Sequence, residues 1–89
     1  MRKKLGFKKK TTQSKAGAAL AVWLKEKRLS ANLTQKEVAS RIGRSISYIS
    51  RVEVNSQILD IPELITYCTA INTDPSDGLR VVINSEKED

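Results

Sequence analysis

The 89 residues contain no histidine and a single cysteine, Cys68. Without histidine, the side chain that titrates nearest neutrality is missing, and with it the usual acid–base and triad chemistry. A lone cysteine excludes a disulfide framework and any ordinary zinc site, which takes about four Cys or His ligands. One reduced thiol suits a cytoplasmic compartment. Long hydrophobic runs are also missing. The longest, Ala16–Leu24, is nine residues, against the ~20 needed to span a bilayer. Acids are scarce in the first part of the chain. Residues 1–51 hold 14 Lys/Arg and only two acids, Glu26 and Glu37, for a net +12. The remainder holds Arg80 and Lys87 against eight acids, for a net −6.

What is present is globular in composition, 39% hydrophobic and 29% charged. The length allows one domain with a thin core. There is little room for a cleft, no metal set and no nucleophile–base pair, so the chain reads as no enzyme, with no cofactor. A molecule polarised to this degree presents one basic face, whose commonest partner is the phosphate backbone, ahead of anionic membrane.

The start of the chain superficially copies a secretory signal, a basic lead followed by apolar residues. The lead is long and broken by Leu5 and Phe7, however, and Lys25 and Glu26 follow the apolar run with no cleavage pair between. Residues 1–14 read instead as a flexible basic arm. The arm has three readings: wrapping DNA through Lys8, Lys9 and Lys10, solubilising the domain, or docking on anionic lipid with Phe7 inserted.

Beyond the arm, helix punctuation is dense. Ser14 caps a first helix over about 15–31, with Leu20, Trp23 and Leu24 on one face and Asn32 suited to its end. Thr34-Gln35-Lys36-Glu37 is a capping box opening a second helix over about 34–42, with Val38, Ala39 and Ile42 inward and Gly43 as its stop. Ser45 caps a third helix over about 45–54, closed by Asn55. Asp60-Ile61-Pro62-Glu63 starts a fourth, whose stripe Ile61, Leu64, Ile65, Cys68 and Ile71 is read as inward, with Asn72 at its end. Cys68 then belongs to the core. Asp74-Pro75-Ser76-Asp77 starts a fifth element. Gly78 lies inside it and Val81-Val82-Ile83 are β-branched, so the tail is open to a short strand. The domain spans 15–84 and residues 85–89 form a charged tail. The fold class is all-α: five short helices joined by tight turns.

At 100° per residue, Ile49 and Val52 define the buried side of the third helix. Ser47, Ser50 and Arg51 point the opposite way, and Ile46 and Tyr48 lie at the flanks. Small serines admit close approach to base edges, and an arginine there suits a bidentate contact with guanine. Tyr48 is balanced between stacking on the nucleic acid and packing on the second helix. Ile46 either touches a thymine methyl or packs.

The run Leu33-Thr34-Gln35-Lys36-Glu37-Val38-Ala39, then Ile42-Gly43, Ser45 and Ile49-Ser50-Arg51-Val52-Glu53, resembles the helix-turn-helix of the Xre family of phage Cro proteins and repressors, over roughly residues 20–79. The resemblance implies a repressor-like fold with its helix-turn-helix over about 34–54 and the third helix entering the major groove. It implies base contacts from Ser47, Arg51, Ile46, Tyr48 and Ser50. Phosphate contacts fall to Gln35, Lys36, Arg44, Ser45 and Asn55, joined by Lys8, Lys9 and Lys10. It also implies an ion pair between Arg28 and Glu53 that ties the first helix to the third. Ile46 departs from the family pattern, where a polar residue is common. The implied function is a dimeric transcription regulator, a repressor, on double-stranded DNA, with the fifth helix and its apolar run Leu79, Val81, Val82 and Ile83 as the candidate interface for a homodimer. With no ligand-binding domain in these residues, regulation is expected to come from protein level, proteolysis or a partner. The rival reading is an antitoxin or adaptor whose acidic second half serves a protein partner such as a toxin.

Overall fold

Each helix begins where a side-chain oxygen accepts from the backbone of the first turn, so donors that lack an intrahelical partner are met locally. In the computed structural model, which describes residues 14–87, these caps open α1 (Lys15–Ser30), α2 (Gln35–Ile42), α3 (Ile46–Glu53), α4 (Ile61–Ala70) and α5 (Pro75–Lys87). Ser14 Oγ accepts from Gly17 N at 2.9 Å, and Ser45 Oγ from Tyr48 N at 3.1 Å. Two full capping boxes open α2 and α4, Thr34 with Glu37 and Asp60 with Glu63. Asp74 Oδ1 accepts from Ser76 N at 2.9 Å before α5.

The helix ends are as locally determined as the starts. Each of the four turns contains one residue in the left-handed region: Asn32, Gly43, Asn55 and Asn72, with φ of 60°, 71°, 60° and 58°. Asparagine and glycine are the residues that enter this region at least cost.

Helix α1 packs most extensively on α5 and also reaches α3, while α2 lies against α3 and α4. Their shared core contains Leu24, Val38, Ile49, Val52, Leu64, Tyr67, Cys68 and Ile71. Burial pushes the Cys68 thiol up to about 11, with a further contribution from the Asp74 carboxylate, and such a thiol is a small apolar core residue.

One sequence expectation is corrected, and one alternative left open by the sequence is decided. First, α4 is turned relative to the expected stripe. Ile61 and Ile65 are 57% and 48% exposed, while Tyr67 is fully buried beside Leu64, Cys68 and Ile71. Which side of α4 is covered is set by its packing against α2 and α5, which periodicity cannot foresee. Second, the tail is helical. Helix α5 runs through Val81, Val82 and Ile83 to Lys87, into what reads from sequence as the charged tail, and the described residues hold no strand. Gly78, which argues against a helix on propensity, is buried at the α1–α5 crossing. A Cβ there would lie 2.9 Å from Cζ3 of Trp23. The crossing, not the helix, requires glycine.

Gly78→Ala therefore sets two effects against each other. Helix propensity favours alanine by about 1 kcal/mol, but overpacking against the indole costs roughly 1–3 kcal/mol. Net destabilisation is expected in urea unfolding; a more stable variant would show that the crossing tolerates a methyl group. Burial of Cys68 gives a second expectation. The unfolded thiol ionises near its ordinary value of 9 and the folded one only near 11. The unfolded chain loses its proton first, so stability falls as pH rises through that window. Cys68→Ala should flatten this part of the curve of stability against pH, whatever its constant cost in packing.

Candidate nucleic-acid interface

Helix α3 is eight residues long and two-sided. Its inner side carries Ile49 and Val52, both buried. Its outer side carries Ser47 and Arg51, both exposed, with Ser50 half-buried between them. Ile46 stands exposed at its N-terminal end. This surface is small, polar and cationic, and its only bulky apolar group is at one tip.

The position of this surface is set from behind. Arg28 of α1 is 6% exposed and Glu53 at the end of α3 is 8% exposed. Arg28 Nε donates to Glu53 Oε2 at 2.5 Å and its Nη2 to Oε1 at 3.0 Å. Arg28 Nη1 donates to the carbonyl of Leu33 at 2.8 Å, in the turn before α2. Gln35 Nε2, from the first residue of α2, donates to the same Glu53 Oε1 at 3.0 Å. One carboxylate thus joins α1, α2 and α3. Its hydrogen bond raises the Arg28 guanidinium above its ordinary pKa, against the opposing effect of burial.

The turn from α2 to α3 has its own contacts. Gly43 takes the left-handed conformation, and Arg44 N donates to the carbonyl of Ala39 at 3.0 Å. The Arg44 guanidinium lies 3.8 Å from the centre of the Tyr48 ring and 4.0 Å from Glu63 of α4. Tyr48 itself is buried, and burial, with the Glu63 carboxylate second, pushes its phenol above the ordinary range. Of its two sequence readings, packing is the one found: the Tyr48 ring is covered by Arg44 and is not presented to a base edge.

The remaining sequence candidates fall into three groups. Ser47, Arg51, Lys36 and Ser45 are exposed on α3, α2 and the joint between them, although the Ser45 hydroxyl already caps α3. Gln35 and Arg44 have protein partners. Asn55 adopts its left-handed turn beside the start of α1, its Oδ1 3.0 Å from where a Cβ of Gly17 would be. Lys8, Lys9 and Lys10 lie outside the described residues. Two features escape sequence reasoning. Arg41 Nη1 donates to the carbonyl of Ala70 at 2.7 Å, tying α2 to the end of α4. Gln35 bonds Glu53 across eighteen residues. Neither has a local signal, because both partners are brought together only by packing. Among the described residues there is no cluster of three or more His, Cys, Asp or Glu side chains that could hold a metal ion, and no helix long and apolar enough to cross a membrane.

Glu53→Ala should be severe. It strands a guanidinium in the core, and breaking a buried pair from one side costs roughly 3–5 kcal/mol. Gln35→Ala removes one hydrogen bond to a charged group and should cost about 1.5–3 kcal/mol. Chemical denaturation followed by circular dichroism checks both; equal losses would contradict the ranking.

A helix-turn-helix family model matches residues 24–77. An XRE-family like protein from Pseudomonas syringae pv. tomato is 38% identical, over 78% of this chain and 84% of that one, with a TM-score of 0.71. The clp gene regulator ClgR from C. glutamicum is 23% identical over 82% of this chain and 95% of its own, with a TM-score of 0.73. The restriction-modification controller protein C.Esp1396I, solved as a tetramer with its natural 35 base-pair operator, is 23% identical over 82% and 96%, with a TM-score of 0.71. At such identities the last two speak to the fold alone. No curated protein matches the chain.

Proposed function

The chain belongs to the XRE-type helix-turn-helix family, and from that membership we propose that it is a sequence-specific, double-stranded DNA-binding transcription regulator acting as a dimeric repressor. Helix α3 enters the major groove. Ser47 and Arg51, with Ser50 and Ile46 beside them, face base edges, and Arg51 supplies a bidentate contact to guanine. Lys36 and the hydroxyl of Ser45 face phosphates, where the positive end of the α2 dipole also suits an anion. Gln35 and Arg44 reach phosphate only by leaving or sharing their present partners, so their contribution is smaller than that of Lys36. The observation that carries this reading is the polarity of α3: a polar, cationic outer face on a helix whose inner face and end are fixed by Ile49, Val52 and Glu53. The operator complex of C.Esp1396I supports it through a shared fold.

Dimerisation through α5 is supported by Leu79 and Ile83, which are exposed while Val81 and Val82 beside them are half-buried. A second copy there would place two α3 helices on half-sites one helical turn, ~34–36 Å, apart. A second reading, in which the acidic half serves a protein partner such as a toxin, draws on Val54, Ile58, Ile61 and Ile65. These four large apolar residues are all exposed around the α3–α4 connection.

The test is selection of duplexes from a random-sequence pool at near-physiological salt. An enriched palindrome is expected. Arg51→Ala should then lose about 1–3 kcal/mol of discrimination at one position of each half-site, while its discrimination elsewhere stays intact. Selection that enriches nothing, with binding that fades steeply as salt rises, would leave only phosphate attraction and turn attention to the protein partner.

A further inference from the structure

The turn that leads into α3 is held from α4. Arg44 directly precedes Ser45, the residue that caps α3, and it is exposed. Its guanidinium lies 3.8 Å from the centre of the buried Tyr48 ring, and its Nη1 lies 4.0 Å from Oε2 of Glu63. The two oxygens of that carboxylate have different tasks. Oε1 accepts from the backbone N–H of Asp60 at 2.8 Å and completes the capping box that opens α4. Oε2 faces Arg44. The box fixes the carboxylate in place, so Glu63 loses little further freedom in meeting the arginine. Capping does not by itself require a charge there, because glutamine serves a capping box as glutamate does. The charge that glutamate adds acts on the positive end of the α4 dipole and on Arg44.

Arg44 is also where DNA would compete for it. In a helix-turn-helix the N-terminal residues of the recognition helix reach base edges, and phosphate contacts around them set the register. A cation one residue ahead of the α3 cap stands beside the phosphates that wall the groove. Its pair with Glu63 is long, and the two side chains are 46% and 35% exposed, so water screens the pair and it is weak. A phosphate at contact distance makes shorter, charge-assisted hydrogen bonds and displaces it. An open cavity of about 230 Å³, bordered by Ile42, Pro62 and Thr66 as well as by these groups, leaves the guanidinium room to turn.

We infer that Glu63 is an internal competitor of the DNA backbone for Arg44, a positioning residue on α4 that keeps the turn arginine on the protein until a phosphate takes it. This rests on the DNA-binding reading above and extends it from residues that face DNA to one that acts through another. Binding must break the Arg44–Glu63 pair, so Glu63 lowers affinity. The loss does not depend on which bases α3 reads, because a phosphate carries no sequence.

The experiment uses the full chain and fluorescence anisotropy on two duplexes, one selected from a random pool and one changed from it at a single base pair. Glu63→Gln keeps an acceptor for Asp60 N and removes the charge; circular dichroism verifies that each variant is folded. Glu63→Gln should bind both duplexes about 3-fold more tightly, within the roughly 5-fold that loss of an exposed pair allows, with the ratio between the duplexes unchanged. Arg44→Ala should bind both more weakly, with a salt slope shallower by about 0.9, as loss of one phosphate contact requires. Adding Glu63→Gln to Arg44→Ala should change neither affinity. Unchanged or weaker binding by Glu63→Gln overturns the inference, as does an Arg44→Ala slope equal to that of wild type. The same 3-fold gain in the Arg44→Ala background also overturns it, since the charge of Glu63 would then act on DNA directly. A wild-type chain that binds neither duplex overturns the DNA-binding reading itself, which separates the two failures.

Discussion

The arrangement of the first three helices depends on one carboxylate. Glu53 is buried and takes donors from Arg28 of α1 and Gln35 of α2, while Arg28 also holds the carbonyl of Leu33. A buried ion pair adds little net stability, because the cost of removing both charges from water nearly cancels their attraction. What this one supplies is geometry. Apolar side chains at the same points would fill space without fixing how α3 is turned, whereas a fork-shaped guanidinium and a planar carboxylate meet well in only a few orientations. Tyr67 lies in the same region. Burial first, and the Glu53 carboxylate second, push its phenol far above the ordinary range, so it stays neutral beside the pair even in alkaline solution.

The parts of the structure legible in the sequence are those set by contacts a few residues apart. Ser14, Thr34, Ser45, Asp60 and Asp74 each act on an N–H two or three positions ahead. Asn32, Gly43, Asn55 and Asn72 each turn the chain by their own backbone preference. With every start and stop determined in this way, the order and lengths of the first four helices follow from short windows. The two faces of α3 follow from its period.

What sequence could not show is set by packing. The phase of α4 is shifted toward Tyr67 by roughly an eighth of a turn at 100° per residue, because packing against α2 and α5 selects which part of its wide apolar surface is covered. Ile61 and Ile65 extend a regular pattern into solvent, and Tyr67, polar at its tip, takes the inward place. Helix α5 conflicts with its own propensities. Gly78 and three β-branched residues argue for something else, and the contact with Trp23 overrides them. The sequence leaves Tyr48 two roles, which only its burial and the position of Arg44 distinguish. The candidate site was legible in the same measure. The outward residues of α3 are given by period, but which polar residues around it are already engaged depends on partners from eighteen to twenty-nine residues away.

These internal partners reduce the charge that the folded domain can offer outward. Between residues 28 and 51 there are five basic side chains, Arg28, Lys36, Arg41, Arg44 and Arg51. Three of them have duties inside the molecule: Arg28 with Glu53, Arg41 with the end of α4, and Arg44 over Tyr48 and beside Glu63. Lys36 and Arg51 face outward. An arginine whose donors are satisfied within the fold has less to offer a phosphate, because any new contact must displace an existing one. The net +12 of the first half therefore overstates the cations available to a polyanion from the folded domain itself. What remains is a narrow division of work. Arg51 on α3 and Lys36 on α2 stand outward, Arg28, Arg41 and Arg44 hold elements of the fold together, and six further basic residues lie ahead of α1 in the sequence, where they place no unpaired cation in the core.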